Sequence, residues 1–272
     1  MANLKIDSND LAHHIRAHAL KMVHRARASH IGSALSSADI LAVLYGQIMA
    51  VDPARPNWSE RDRFLLSKGH ACVSVYAALA ECGFFPVEEL LNYGQDHSIM
   101  MNHISHKVPG VEFSTGSLGH GLPFGVGKAL AAKRSGRAWR TFVLLSDGEL
   151  GEGSNWEALM FAAHHRLDNL IAIVDYNKLQ SFTTVEETLR VEPLADKVRA
   201  FGWAVCELNG HDHLELRAAL EHGSLENDKP TFIIAHTTKG KGVSFMENAV
   251  LWHYKSPNDA ELSQALAEIG HA

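Results

Sequence analysis

Apolar runs that alternate with helical patterns constrain this fold more than any other sequence feature. The runs lie at 63–66, 141–146, 170–175, 203–208 and 231–236. Helical patterns between the later runs lie at 154–165, 193–201 and 212–222, and a small-residue helix is predicted at 118–134. Strands that alternate with helices predict right-handed crossovers and a parallel sheet. Uninterrupted apolar strands are typical of sheets covered on both faces, so we predict an α/β fold with a mostly parallel sheet and helices on both faces.

The N-terminal third is predicted to be mostly helical. Apolar periodicity predicts helices at 9–29 and 71–81, and a proline in the first turn begins another at 86–92. A helix is also predicted at 36–49, with Ser36 as N-cap and Asp39 in a capping box. Residues 94–116 are predicted to form an ordered loop. Without repeats or clear linkers, we expect 1–272 to be a single domain that ends in a short helical tail at 259–272.

Composition excludes several classes of protein. Of 272 residues, 46% are hydrophobic and 21% charged, with a net charge of −6, so no basic nucleic-acid footprint is present. Three cysteines without metal-type spacing argue against a disulfide framework and favour a cytoplasmic location. The polar N-terminus does not resemble a signal peptide, and the short apolar runs predict no membrane helix. The 18 histidines are many, and only their positions can decide their role.

Two strand ends carry oxygen-bearing side chains. The run at 141–146 leads into Asp147 and Gly148, and the next run leads to Asn177. Ligands of parallel sheets bind beyond the carboxyl ends of the strands, and these two ends are one crossover apart. Oxygen ligands of this kind suit Mg²⁺ bridging to phosphate, and the following helix N-terminus favours an anion. The alternative is that Asp147 and Asn177 only cap turns; an Asp-Gly turn alone would not distinguish the two.

The segment that contains both strand ends is similar to a known cofactor motif. SDGELGEGSNWEALMFAAHHRLDNLIAIVDYNKLQ, at 146–180, resembles the GDG…N diphosphate-binding motif of thiamine-diphosphate enzymes, with Ser146 replacing the first glycine. The resemblance implies thiamine diphosphate and Mg²⁺ (or Ca²⁺ or Mn²⁺) as cofactors. It places the metal on Asp147, Asn177 and the main-chain oxygen of Leu179, and the diphosphate against Gly148 and Glu149.

Four further segments resemble transketolase in the order and spacing of that family. They are ASHIGSALSSADIL at 28–41, LLSKGHACVSVYAAL at 65–79, NHISHKVPGVEFSTGSLGHGL at 102–122 and TTKGKGVSFMENAVLWH at 237–253. The resemblance spans roughly residues 10–258. It departs from the family at Tyr254, where related sequences usually have glycine, and this puts ordinary sugar-phosphate specificity in doubt.

The transketolase resemblance assigns roles residue by residue. It implies that four histidines line the substrate channel: His30, His70, His103 and His253. It implies cofactor contacts from Gly116, Ser117, Leu118, His70, Lys239 and His253, with His120 nearby, and a dimer contact from Glu152. Ketol transfer needs a base for the C3 hydroxyl and an acid for the new alkoxide, each contributing ~10²–10⁴-fold. We expect His30 and His253 to transfer protons, and His103 to recognise substrate hydroxyls.

Each histidine taken alone could equally be a surface or core residue. His103 and His106 could in principle bind zinc, but no cysteine or carboxylate ligand accompanies them in the sequence.

The resemblance also implies a missing half. In transketolases, the activating glutamate and the arginines that hold the substrate phosphate lie in a following pyrimidine-binding domain, and we expect this chain to lack that domain. We therefore expect a transferase subunit that moves a two-carbon ketol unit from a ketose or ketose phosphate to an aldose in carbohydrate metabolism, such as the pentose phosphate pathway. A C-terminal partner subunit would complete an α2β2 heterotetramer. The alternatives are the α subunit of a 2-oxo-acid decarboxylase or dehydrogenase, and a non-catalytic partner that retains the fold.

Overall fold

A five-stranded sheet forms the centre of the molecule. The structure is a computed structural model and describes residues 6–271; residues 1–5 and 272, which the predicted single domain also includes, lie outside the described residues. All neighbouring strands are parallel, in the order β1-β2-β3-β5-β4. The strands are β1 Arg63–Leu66, β2 Thr141–Ser146, β3 Leu170–Tyr176, β4 Ala204–Asn209 and β5 Thr231–His236. The predicted parallel sheet is confirmed.

Helices flank the sheet in chain order. The α-helices are α1 Ser8–Ala26, α2 Ile31–Val43, α3 Cys72–Glu81, α4 Gly121–Arg134, α5 Gly153–His164, α6 Val185–Thr188, α7 Leu194–Ala200, α8 His213–Glu221 and α9 Asp259–Glu268. Leu44–Ile48 continues α2 as a π-helical turn, and short 3₁₀ turns lie at Gly69–Ala71, Val87–Asn92, Gly148–Gly151 and Val250–His253. Residues 94–116 contain neither helix nor strand, as predicted.

The strands send alternate side chains into two separate cores. Phe142 and Leu144 of β2 pack into the core shared with α1, α2 and α3, whereas Val143 and Leu145 pack into the core shared with α4, α5 and α7. Side chains of a strand alternate between its faces, so a continuous apolar run can fill both cores. This arrangement confirms the prediction of helices on both faces.

Helix α2 begins earlier than predicted. Its N-cap is His30, in the left-handed region with φ of 73°, where its backbone N–H donates to the carbonyl oxygen of His253 at 2.8 Å. The prediction of a start at Ser36 with a capping box was wrong, because this tertiary bond sets the start of the helix. Ser36 and Asp39 lie inside the helix and bind partners elsewhere in the fold.

One segment of the described residues, Ile31–Ile48, is long and apolar enough to cross a membrane by length and composition alone. Within the protein 94% of it is buried. Its side chains pack against α1 and α3, so its apolar character is that of a core helix.

Candidate functional site

A cavity of about 250 Å³ opens at the carboxyl ends of β2, β3 and β5. Residues from the turns after these strands line one side, and His30, His70 and His253 line another. Parallel strands present their carboxyl ends at one edge, which brings together residues far apart in the sequence. The α2 N-terminus and the 3₁₀ turns at 69–71 and 250–253 bring the histidines to the same edge.

Three oxygen donors from two strand ends meet in this cavity. Asp147, Asn177 and Leu179 all line it. Asp147 is 1% exposed, and its carboxylate accepts hydrogen bonds from the backbone N–H groups of Gly148 at 2.7 Å and of Lys178. The Asn177 side-chain oxygen accepts from the backbone N–H of Leu179 at 3.1 Å. A carboxylate, a carboxamide and a main-chain carbonyl form a donor set that suits a hard divalent cation.

The charge on Asp147 is poorly compensated. Burial, reinforced by the nearby Asp175, raises the pKa of Asp147 to about 7 despite its two backbone hydrogen bonds. A bound cation would favour the ionised carboxylate, so the electrostatics of this residue fit a divalent cation. Among the residues that the structure describes, no three His, Cys, Asp or Glu side chains gather into a metal site, which leaves the zinc alternative at His103 and His106 without support.

The backbone at Gly148 is open to the cavity. A Cβ built on Gly148 would lie 3.0 Å from Cγ of Gln180, so a larger residue would crowd the turn. Gly148 begins a 3₁₀ turn that precedes the N-terminus of α5. The N–H groups of Gly148 and Glu149 already donate to Asp147 and to the Ser146 hydroxyl, so what Gly148 offers a diphosphate is the absence of a side chain.

Lys239 supplies a buried positive charge to the same cavity. It is 1% exposed, and its ammonium donates to the carbonyl oxygens of Leu179 at 3.0 Å and Gln180 at 2.7 Å. Burial lowers the pKa of Lys239 to about 8, with Asp147 opposing the shift. The residue is therefore mostly protonated at neutral pH and can face an anionic ligand.

The four histidines named from the sequence form one cluster. The ring centroid of His30 lies 5.1 Å from that of His70, 5.8 Å from His103 and 4.9 Å from His253. Burial, with contributions from His103 and Lys239, lowers the pKa of His30 to about 4. Burial, with contributions from Lys239 and His30, lowers that of His253 to about 3. Burial also lowers the pKa values of His70 and His103, so all four imidazoles are neutral at pH 7.

The proton position on His253 follows from its neighbour. The Lys239 ammonium lies 3.3 Å from Nδ1 of His253. An ammonium can only donate, so Nδ1 is the acceptor and the proton of the neutral ring lies on Nε2. The imidazole can then present a donor at Nε2.

Several predicted cofactor residues lie beside the cavity rather than on its lining. Leu118 lines it, but Gly116, Ser117 and Glu149 do not, and neither does His103, which was predicted to bind substrate hydroxyls. Glu149 is fully buried, and its carboxylate accepts from the backbone N–H of Gly119 at 2.9 Å and from the Ser67 hydroxyl. Burial raises its pKa. Glu149 thus holds the loop that carries Leu118, an indirect contribution to the site.

Three other residues singled out from the sequence are exposed. Tyr254 lines the cavity with 63% of its surface exposed, and its ring lies 4.8 Å from that of His253. Glu152 is exposed at the start of α5, and the exposed His120 binds the carbonyl oxygen of Leu118 at 2.9 Å.

A buried ion pair below the cavity was missed from the sequence. Lys68 and Asp175 are both fully buried and in direct contact. Burial alone would raise the pKa of Asp175, but Lys68 and the Ser36 and Thr237 hydroxyls lower it below the usual value. The available signal was a lysine beside the His70 motif and an aspartate inside an apolar strand.

Comparison with known protein families identifies one that covers nearly the whole chain. The family described as the transketolase thiamine diphosphate binding domain matches residues 7–272. The chain belongs to the transketolase family. It is 42% identical over 254 residues to a Phocaeicola vulgatus protein named as one subunit of an apulose-4-phosphate transketolase, covering 93% of this chain and 90% of that one. It is 39% identical to 6-deoxy-6-sulfo-D-fructose transketolase subunit SqwG of Clostridium sp., covering 99% and 98%.

Solved transketolases share the fold. The structure from Campylobacter jejuni superposes with a TM-score of 0.91 at 34% identity, covering 97% of this chain but 42% of that one. This transketolase-family chain therefore spans the length of the relatives named as subunits, and less than half of that solved structure.

Proposed function

We propose that this chain is the thiamine-diphosphate-binding subunit of a two-chain transketolase. The proposal rests on one observation: the oxygen donor set of Asp147, Asn177 and Leu179 shares a cavity with neutral His30 and His253. A diphosphate site beside proton-transfer groups suits transfer of a two-carbon ketol unit from a ketose to an aldose.

A separate partner subunit follows from the relatives. Two of them are named as transketolase subunits and match this chain over 90% and 98% of their length. We infer that a C-terminal chain supplies the pyrimidine-binding half, that the assembly is α2β2, and that it works in the cytoplasm. Both relatives are named for ketoses with an anionic group, so an anionic ketose is the proposed donor class.

Each residue in the cavity has a role in this proposal. Bound thiamine diphosphate would supply the nucleophile that attacks the ketose carbonyl. Asp147, Asn177 and the carbonyl of Leu179 would hold Mg²⁺, while Gly148, His70 and Lys239 would contact the diphosphate.

The remaining histidines would act on the substrate. His30 would accept the proton of the C3 hydroxyl, and the resulting imidazolium would return a proton to the new alkoxide. Neutral His253 would donate a hydrogen bond from Nε2 to the same oxygen. His103, at the edge of the cluster, would bind substrate hydroxyls. Their lowered pKa values keep these rings neutral, as a base or a hydrogen-bond donor at pH 7 requires.

The test combines this chain with its C-terminal partner, thiamine diphosphate and Mg²⁺. Formation of a ketose from hydroxypyruvate and an aldose is expected with both chains, and none is expected from this chain alone. Replacing His30 by Ala should lower kcat ~10²–10⁴-fold while cofactor binding persists. Oxidative decarboxylation of pyruvate would instead support the 2-oxo-acid alternative, and failure to bind the cofactor would support a non-catalytic role.

A further inference from the structure

A second buried charged cluster lies outside the cavity, between α1, α2 and the start of α8. Its members are Arg16, Asp39, His211 and His213. Asp39 is 5% exposed, and Arg16 donates to both of its carboxylate oxygens. His211 Nδ1 lies 2.6 Å from Oδ2 of Asp39, and His213 Nε2 lies 3.1 Å from Oδ1. None of these residues lines the cofactor cavity.

The two histidines differ in what their second nitrogen contacts. Nε2 of His211 lies 2.8 Å from the backbone N of Thr238, whereas Nδ1 of His213 lies 2.8 Å from the Ser8 hydroxyl. A backbone N–H can only donate, so Nε2 of His211 is an acceptor. The neutral ring must then carry its proton on Nδ1 and donate it to Asp39. Asp39 thereby fixes the tautomer that Thr238 requires, as outer carboxylates do for metal-bound histidines.

Thr238 directly precedes Lys239, whose ammonium lies in the cavity. On one side Thr237 is tied to Asp175 and to the carbonyl oxygen of Tyr176. On the other, the backbone N–H of Gly240 donates to the carbonyl oxygen of Gly32 at 3.0 Å. The hydrogen bond to His211 fixes the backbone of Thr238 between the contacts made by Thr237 and by Gly240.

The close approach of the two turns depends on a glycine. A Cβ built on Gly210 would lie 2.5 Å from Cγ2 of Thr237. The turn that carries His211 can therefore lie against the turn that carries Lys239. The backbone N–H of Gly210 also donates to the carbonyl oxygen of His236 at 2.9 Å.

We propose that His211 is a positioning residue for cofactor binding. Held by Asp39, it fixes the backbone at Thr238 and so aims Lys239 at the diphosphate. This role rests on the proposed function, because that function assigns Lys239 to the diphosphate. Outer-sphere partners of metal ligands typically change metal affinity or activity 10–100-fold, and we expect the lower end of that range for this lysine.

Two substitutions separate the contacts of His211. His211→Asn keeps a donor near the Nδ1 position for Asp39 but loses the acceptor for Thr238. His211→Gln places its side-chain oxygen near the Nε2 position and keeps that acceptor. His213→Asn is the matched control, because His213 contacts the same carboxylate but not Thr238.

The experiment measures the dissociation constant of thiamine diphosphate with Mg²⁺ by calorimetry on the two-chain complex. Exchange of the Thr238 amide and the melting temperature are followed in the same variants. His211→Asn should weaken binding about 10-fold and speed amide exchange, and His211→Gln should restore much of both. His213→Asn should lower the melting temperature without changing either quantity.

The outcomes distinguish this inference from the function on which it rests. If the wild-type complex fails to bind thiamine diphosphate, both the proposed function and the positioning role of His211 are wrong. If it binds, and His211→Asn binds equally well, only the positioning role falls. Equal weakening by His211→Asn and His213→Asn would also overturn it, because the effect would then come from the stability of the cluster.

Discussion

Two neighbouring strand ends carry buried aspartates in contrasting electrostatic environments. Ser146 at the end of β2 pairs with Asp175 of β3, so Asp147 and Asp175 lie almost side by side. They are 1% and 0% exposed. Asp175 contacts Lys68 and has a lowered pKa, whereas the pKa of Asp147 is raised to about 7. Equal burial thus gives opposite shifts because only one carboxylate has a directly bound cationic side chain.

The contrast separates a structural charge from a binding charge. Lys68 compensates Asp175 within the fold, and Asp175 in turn lies 3.4 Å from the Asn177 side-chain nitrogen, which helps to orient that amide. Asp147 lines the cavity, where an external cation can reach it. The first carboxylate should therefore matter for stability, and the second for cation binding.

The largest expected effect comes from removing the cation that compensates Asp175. Lys68→Met leaves a fully buried carboxylate without its partner, so the free energy of unfolding should fall by about 3–5 kcal/mol. Urea denaturation of the full chain measures this. The double variant Lys68→Met, Asp175→Asn should recover part of the loss, since no unpaired charge remains.

Lys133→Met provides the matched surface control. Lys133 lies 2.9 Å from Asp168, but both side chains are 36% exposed. Solvent screens such a pair, and its loss should cost about 0–1 kcal/mol. Similar losses from Lys68→Met and Lys133→Met would remove the distinction between the strand ends.

Asp147 and Asp175 should change the stability of the protein with pH in opposite directions. Its folded pKa of about 7 exceeds the usual 3.8, so the native state holds the proton more tightly than the unfolded state does. Its contribution is fully present below about pH 4 and is lost as pH rises to about 7. Each pKa unit is worth about 1.4 kcal/mol, so the loss amounts to at most about 4 kcal/mol. Asp175, whose pKa is lowered, should instead lose its contribution as pH falls through its folded pKa.

Measuring the free energy of unfolding at several pH values, with a chelator present to remove cations, tests this pH dependence. The stability of wild type minus that of Asp147→Asn should fall between pH 4 and 7, which cancels contributions common to both proteins. A flat difference across that range would show that Asp147 ionises normally in the folded chain.

The fold was predictable because local pattern and burial agree. The strand at 141–146 is apolar because both faces are covered, and its bounds agree with the structure. The start of α2 was not predictable, since it depends on a bond from His30 to the distant His253. Helical propensity alone contains no information about such a contact.

The candidate site likewise contains residues that the local sequence pattern predicts and residues that only tertiary contacts reveal. Asp147 and Asn177 were predictable because they follow consecutive strands, and topology places strand ends together. Lys68 follows β1 and Asp175 lies in β3, 107 positions apart in the sequence, and their contact depends on the tertiary structure. A charged residue within a buried segment was their only local signal.

Proton competition at Asp147 should make cation binding depend on pH. In the two-chain complex with thiamine diphosphate, Mg²⁺ affinity should weaken toward about 10-fold per pH unit below about pH 7 and level off above it. The pH dependence of Mg²⁺ binding to the free cofactor must be subtracted. Mn²⁺ should show the same profile, because a proton competes with either cation. Equal corrected affinities at pH 6 and pH 8 would count against the raised pKa.

The smallest effect compares two adjacent serines of α2 that are both fully buried. Ser36 Oγ lies 2.5 Å from the Asp175 carboxylate, whereas Ser37 Oγ donates to the neutral Ser33 carbonyl at 2.9 Å. Hydrogen bonds to charged groups contribute about 1.5–3 kcal/mol, and neutral ones about 0.5–1.5 kcal/mol. Ser36→Ala should therefore lower the free energy of unfolding by about 1 kcal/mol more than Ser37→Ala. Equal losses in urea denaturation would mean that Lys68 and Thr237 alone suffice to hold the charge on Asp175.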